Sequence, residues 1–66
     1  MQNRIFEKRK FLSLSQDALA ARCGVTRQTI NAIENNKYDP TLQLAFSLAR
    51  VLHCTVDELF TPPENP

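Results

Sequence analysis

The chain has 66 residues, which is enough for one small domain and too few for two. Its composition, 42% hydrophobic and 23% charged with a net charge of +1, is that of a folded protein, and it excludes a disordered chain, an acidic tail and a polybasic membrane anchor. A single core of this size contributes only about 3–5 kcal/mol of net stability, so a further source of stability is expected.

Several classes of protein are disfavoured by what the sequence lacks. No apolar run is long enough to span a membrane, and the first residues lack the apolar segment of a signal peptide, so we expect a cytoplasmic protein with no membrane partner. The single histidine, His53, has no catalytic partners near it in sequence, and no glycine-rich phosphate loop occurs, which argues against an enzyme. Cys23 and Cys54 are poorly spaced for zinc and are interpreted as small apolar residues in a reducing compartment. We expect no cofactor, metal or small-molecule ligand.

The remaining pattern predicts an all-α fold. Glycine occurs once, and the residues typical of strands do not alternate with polar residues. Capping residues place helix starts after Ser15, Thr26, Thr41 and Thr55, and the last of these forms a capping box with Glu58. The prediction is a compact five-helix domain over residues 1–60 and a proline-rich tail over residues 61–66. The helices are expected near residues 3–11, 16–22, 27–35, 42–52 and 56–60.

The ends of these helices call for residues that tolerate a left-handed backbone. Gly24 follows the second helix, where such a residue commonly ends a helix. The third helix ends at Asn35-Asn36, and asparagine is the next best tolerated residue in that conformation. Ser13 and His53 stand at the corresponding ends of helices 1 and 4, where a left-handed backbone carries a modest strain.

The third predicted helix has two unlike faces. At about 100° per residue, Ile30, Ile33 and Glu34 fall on one inward face. The opposite face carries three amides, an alanine and no charge, at Gln28, Asn31, Ala32 and Asn35. Amide side chains suit bidentate hydrogen bonding to the edge of a DNA base, whereas a merely solvated helix face is the alternative interpretation.

A distinctive set of short segments runs through the chain: Leu14-Ser15-Gln16, Leu19-Ala20, Gly24-Val25-Thr26-Arg27-Gln28-Thr29-Ile30, Ile33-Glu34-Asn35, Lys37-Tyr38-Asp39-Pro40 and Val56-Asp57-Glu58-Leu59-Phe60. In their order and spacing these segments resemble the Cro/Xre-type helix-turn-helix regulators of bacteria and phages. The resemblance covers residues 3–60. It implies a lambda-repressor-like fold in which helices 2 and 3 form the helix-turn-helix.

The resemblance implies a sequence-specific regulator that binds double-stranded DNA. Ser15 and Gln16 match positions that touch the DNA backbone. The third helix matches the recognition helix, which enters the major groove. Its DNA-facing positions are Arg27, Gln28, Thr29, Asn31 and Ala32. The following loop matches the segment that tracks the phosphates, at Asn35, Asn36, Lys37 and Tyr38.

Two further features concern helix 1. Glu34 lies at the edge of the inward face, where an unpaired charge is costly. The resemblance implies a structural ion pair between Glu34 and Arg9. Lys8 stands where the family usually has an aliphatic residue, and Phe11 where polar residues are more common. We expect Phe11 to cover the edge of the core, with exposure to a partner as the alternative.

The fourth helix carries more apolar residues than a surface helix needs, since an apolar stripe of about 100° is usual. Either this helix is central to the domain, or another chain covers part of it. Because the family binds paired half-sites, we predict a homodimer that acts as a repressor on a palindromic operator. The predicted interface is formed by the C-terminal third, with Val56, Leu59 and Phe60, together with Asp39 in the loop after helix 3.

The alternative function is a protein-interaction or antitoxin-type helix-turn-helix module in which DNA binding is secondary. The small net charge does not decide against DNA, because it is the sum of two unlike halves. Residues 1–37 carry seven basic and three acidic side chains, while residues 38–66 carry one basic and four acidic ones. The helices predicted to face DNA are therefore basic, and the predicted dimer end is acidic.

Overall fold

The computed structural model describes residues 1–62 of the chain. These residues form five helices and two short strands in the order β1 (Gln2–Asn3), α1 (Ile5–Phe11), α2 (Gln16–Cys23), α3 (Arg27–Glu34), α4 (Leu42–Val51), α5 (Val56–Leu59) and β2 (Phe60–Thr61). The predicted five-helix architecture is confirmed, with helix boundaries within two residues of those expected. Most of the predicted proline-rich tail, residues 63–66, lies outside the described residues, and Thr61 belongs to β2.

Side-chain caps begin four of the five helices, as predicted. Ser15, Thr26, Thr41 and Thr55 each accept a hydrogen bond from the backbone N–H three residues further on. At α5 the capping box is complete, because the Glu58 carboxylate also accepts from the Thr55 backbone N–H at 2.9 Å. The hydrogen bond from the Thr55 backbone N–H to this carboxylate favours its ionised form and is the main cause of the lowered pKa of Glu58.

The left-handed residues also occur where the sequence predicts them. Gly24 ends α2 with φ of 71°, and Ser13, Asn36 and His53 have φ of 57°, 60° and 61°. A Cβ at position 24 would meet no atom within 4 Å. Glycine is therefore favoured there by its backbone angle rather than by lack of space.

The two strands were not predicted, and they correct the outer boundaries of the first and last helices. Asn3 begins no helix; it pairs with Phe60 in an antiparallel ladder, next to the pair of Gln2 and Thr61. The Asn3 Oδ1 accepts from the Ile5 backbone N–H at 3.1 Å, and its Nδ2 donates to the Ile33 carbonyl at 2.8 Å. One side chain thus joins the start of α1 to the last turn of α3.

The hydrophobic core lies where α2, α3 and α4 meet α1 and α5. Its fully buried large side chains are Ile5, Leu19, Ile30, Ile33, Leu48, Leu52 and Leu59. Phe60 is only 5% exposed and belongs to the same cluster. Leu59 and Phe60, both predicted for the interface, thus pack mainly within their own chain, and little of either side chain is exposed to a partner.

The expectation for Phe11 is wrong: its side chain is 83% exposed and does not cover the core. Phe6, one and a half turns earlier on α1, is 58% exposed. Its ring lies 5.3 Å from the Arg9 guanidinium and 5.6 Å from the Lys10 ammonium. These cation–π contacts account for an exposed ring at position 6, whereas nothing in the structure explains the exposure of Phe11.

Helix α4 is both central and partly uncovered. Ala45, Leu48 and Ala49 face the core, whereas Leu42 is 71% and Phe46 54% exposed. The excess of apolar residues on this helix therefore has two origins, since one face fills the core and a second stripe lies on the surface.

Some classes of site and segment are not found among residues 1–62. No helix there is long and apolar enough to cross a membrane. No three side chains of histidine, cysteine, aspartate or glutamate gather there as metal ligands. Cys23 and Cys54 are free and half-buried, and burial raises the pKa of both thiols.

Candidate nucleic-acid interface

Helix α3 presents a polar face to solvent because its apolar residues anchor the other face. Ile30 and Ile33 are buried in the core, while Arg27, Gln28 and Asn31 are exposed. Thr26 caps the helix by accepting from the Thr29 backbone N–H at 3.2 Å. The uncharged amides predicted to point outward do so in the structure.

A buried ion pair fixes α3 against α1. The Arg9 Nε donates to the Glu34 Oε2 at 2.7 Å, the Arg9 Nη2 donates to the Glu34 Oε1 at 3.2 Å, and only 8% and 7% of the two side chains are exposed. The Arg9 Nη1 donates to the Leu14 carbonyl at 3.0 Å. The planar guanidinium thus holds the last turn of α3 and the loop before α2 in one arrangement.

Gln16 joins this network from the first turn of α2. Its Nε2 donates to the Glu34 Oε1 at 3.1 Å, a contact that sequence reasoning missed. The amide nitrogen carries two hydrogens, so one remains for a second acceptor. The Ser15 Oγ accepts from the Ala18 backbone N–H at 3.0 Å, and its hydroxyl hydrogen is still available to donate.

The remaining residues of the predicted site fall into two groups. Thr29 and Ala32 are half-buried, and the Thr29 hydroxyl lies 3.1 Å from that of Thr26. The residues that follow α3 are exposed, at Asn35, Asn36, Lys37 and Tyr38. The Asn35 Nδ2 donates back to the Asn31 carbonyl at 2.9 Å, and the Asn36 Oδ1 accepts from Asn3 at 3.3 Å.

An open cavity of about 600 Å³ lies beside the start of α2, and it brings together residues from three elements. Lys10 from the last turn of α1 and Ser13 from the loop after it line the cavity with Ser15, Gln16 and Arg27. The Asp17 carboxylate also lines this space, next to Arg27, but the two exposed cations, two hydroxyls and an amide around it suit an anionic oxygen such as that of a phosphate. Lys10 is not among the DNA-binding residues predicted from the sequence, although a basic residue in the last turn of the first helix could have indicated it.

The charges on this side are only weakly neutralised from within the chain. Arg27 lies 3.6 Å from Asp17, but both side chains are more than half exposed, so water screens the interaction. Lys10 and Lys37 have no carboxylate within 4 Å among residues 1–62. The end of α1, α3 and the loop after α3 thus bring the exposed cations Lys10, Arg27 and Lys37 to a surface with amides at its centre, where the Asp17 carboxylate lies next to Arg27.

A helix-turn-helix whose second helix presents amides and a flanking basic surface defines a class of DNA-binding domains. The sequence profile of the helix-turn-helix family matches residues 5–59. The chain belongs to this family of Cro/C1-type DNA-binding transcriptional regulators.

Relatives and solved structures agree with this assignment. An uncharacterized HTH-type transcriptional regulator of Methanocaldococcus jannaschii is 43% identical over 60 residues, which cover 91% of each chain. The crystal structure of the P22 c2 repressor in complex with synthetic operator 9T superposes with a TM-score of 0.80 at 31% identity, covering 82% of each chain. The restriction-modification controller protein C.AhdI of Aeromonas hydrophila gives a TM-score of 0.80 at 32% identity over 86% of each chain.

Proposed function

We propose that the protein is a repressor that binds a palindromic operator as a homodimer. The observation that carries the DNA-reading part is the geometry of α3, whose last turn is held by the Arg9–Glu34 ion pair while Arg27, Gln28 and Asn31 remain exposed. A rigid helix with exposed amides near its N-terminus has the chemistry needed to read base edges in the major groove. The P22 c2 repressor, which shares this fold, binds a synthetic operator in its crystal structure.

The phosphate contacts are assigned to the two segments that flank α3. Ser15 and Gln16 retain free donors at the N-terminus of α2, where backbone N–H groups also favour an anion. Lys37 and Tyr38 are exposed in the loop after α3. Such contacts position α3 without reading sequence, and they make the affinity strongly dependent on salt.

The dimer is supported by an exposed apolar surface, here called the apolar groove, on the side of α4 that the core leaves uncovered. Two adjoining cavities share Met1, Val56 and Phe60, and Leu42 and Phe46 border them. Contiguous apolar surface of this kind is characteristic of protein interfaces. Of the interface residues predicted from sequence, Val56 lines the groove, and Asp39 lies beside Pro40 at one end of it.

A symmetric dimer would place two α3 helices about 34–36 Å apart, so the operator is expected to have half-sites centred about 10–10.5 base pairs apart. Occupation of such a site within a promoter would block transcription directly. Repression of this kind requires no ligand beyond the DNA itself.

The DNA-reading role is tested with Gln28→Ala, matched to Lys37→Ala as a variant of a phosphate contact. Gln28→Ala is expected to weaken operator binding by about 1–3 kcal/mol and to relax discrimination at one base pair of each half-site, because a bidentate base contact is lost. Lys37→Ala is expected to weaken binding to all sequences alike and to reduce the salt dependence by about one ion per subunit. Competition binding against single-base operator variants measures both effects.

Equal weakening of Gln28→Ala on every base-pair variant would contradict its role in reading bases. Both side chains are exposed, so neither substitution is expected to change the melting temperature measurably. A lower melting temperature of either variant would point instead to a structural role for the residue that it replaces.

A further inference from the structure

Two opposite charges lie at one end of the apolar groove. Arg50 continues the surface stripe of α4, one turn beyond Phe46 and two beyond Leu42. Asp57 lies in the first turn of α5. Both are exposed, and both line the same cavity of about 650 Å³ as Phe46 and Val56.

Neither charge is neutralised by another side chain of the described part of the chain. Among residues 1–62, neither Arg50 nor Asp57 has an oppositely charged group within 4 Å. A cation and an anion that border one apolar surface without pairing make that surface self-complementary, because a second copy offers the matching charge to each.

The direction of the groove decides which end of one copy meets which end of the other. The cavity at its opposite end is bordered by Pro40 and Leu42, directly after the loop that we assign to phosphates. The Arg50 and Asp57 end is therefore the one away from DNA. The recognition helices of both subunits can reach the same face of the DNA only if the twofold axis of the dimer points away from the DNA. With that axis placed along the groove, equivalent ends of the two copies meet.

We propose that Arg50 of each subunit forms an ion pair with the partner's Asp57, and that these two pairs fix the register of the homodimer. This proposal rests on the proposed homodimer and adds the contact that fixes how its two subunits align. In a twofold interface each contact occurs twice, so Arg50 meets the partner's Asp57 while Asp57 meets the partner's Arg50. The apolar groove supplies most of the affinity, and the charges disfavour shifted arrangements and partners with a different charge pattern.

The symmetry of the contact allows a decisive charge-reversal experiment. R50E alone places a glutamate against the partner's Asp57 at both contacts, and D57K alone places a lysine against the partner's Arg50. An equimolar mixture forms a heterodimer in which one contact joins the two introduced side chains and the other joins the two native ones, so both again join opposite charges. We expect each single variant to dimerise about tenfold or more weakly than wild type, and the mixture to recover the wild-type dissociation constant. Sedimentation equilibrium of wild type, each variant and the mixture measures this.

R22E is the matched control, because it makes the same charge change at an exposed position on α2. It is expected to dimerise as wild type does, and circular dichroism checks that every variant is folded. If R50E and D57K dimerise as tightly as R22E, or if both are weakened and the mixture does not recover, the ion-pair proposal is overturned while the homodimer stands. If wild type is itself monomeric at about 100 µM under conditions that resolve a weak dimer, the homodimer and the ion pair both fail.

Discussion

Replacement of either Arg9 or Glu34 by alanine is expected to lower the free energy of unfolding by about 3–5 kcal/mol. Both side chains are more than 90% buried and make two direct hydrogen bonds to each other, so removal of one leaves the other charged and unpaired. A monomeric domain of this size has a net stability of about 3–5 kcal/mol. The single variants are therefore expected to be largely unfolded at 25 °C and low protein concentration.

Urea unfolding followed by circular dichroism measures this effect, with Arg4→Ala as the matched control. Arg4 is exposed, and its one ion pair within residues 1–62, at 3.8 Å, is with the exposed Glu7, so its loss is expected to change stability by less than about 0.5 kcal/mol. The double variant Arg9→Met, Glu34→Leu removes both charges and is expected to be more stable than either single variant. Single variants as stable as Arg4→Ala would show that the ion pair does not hold α3.

Replacement of Phe46 by glutamate is expected to abolish the homodimer and to weaken operator binding by about 100-fold or more. Phe46 is 54% exposed and lines the apolar groove, so a charge there is tolerated by the folded monomer, whereas in the dimer it replaces an apolar contact and has to lose its hydration. Loss of the dimer removes the second half-site contact, whose high effective concentration contributes a factor of about 100 to 10,000 in overall affinity.

Sedimentation and operator titration test this expectation together. Phe11→Glu serves as the control for self-association, because Phe11 is also an exposed phenylalanine but lies on α1 outside the groove. We expect Phe11→Glu to remain dimeric and Phe46→Glu to sediment as a folded monomer. A dimeric Phe46→Glu variant would show that the interface lies elsewhere on the surface.

Local sequence signals predicted most of the fold, because helix ends depend on near neighbours. The cap at Thr26 and the left-handed position at Gly24 follow from residue types whose effect extends over three or four residues. The pairing of β1 with β2 leaves no such signal, since two residues are too few to show an alternating pattern. For the same reason the sequence predicts a last helix that includes Phe60, which in the structure begins β2.

The candidate site was predicted in its parts but not in its connections. The polar face of α3 follows from helical periodicity, and the Arg9–Glu34 pair follows from the family pattern. The hydrogen bond from Gln16 to Glu34 joins residues 18 positions apart, a distance over which no local rule operates. The exposure of Phe46 beside buried Ala45 depends on how α4 packs, which a helical pattern alone leaves open.

Two copies of the chain are expected to read a symmetric DNA site through α3. Selection of binding sites from random double-stranded DNA, with the number of chains per site measured on the selected DNA, tests it most directly. We predict an approximate palindrome with half-site centres about 10–10.5 base pairs apart, occupied by two chains. Recovery of no common sequence, or of an asymmetric site occupied by one chain, would contradict the account.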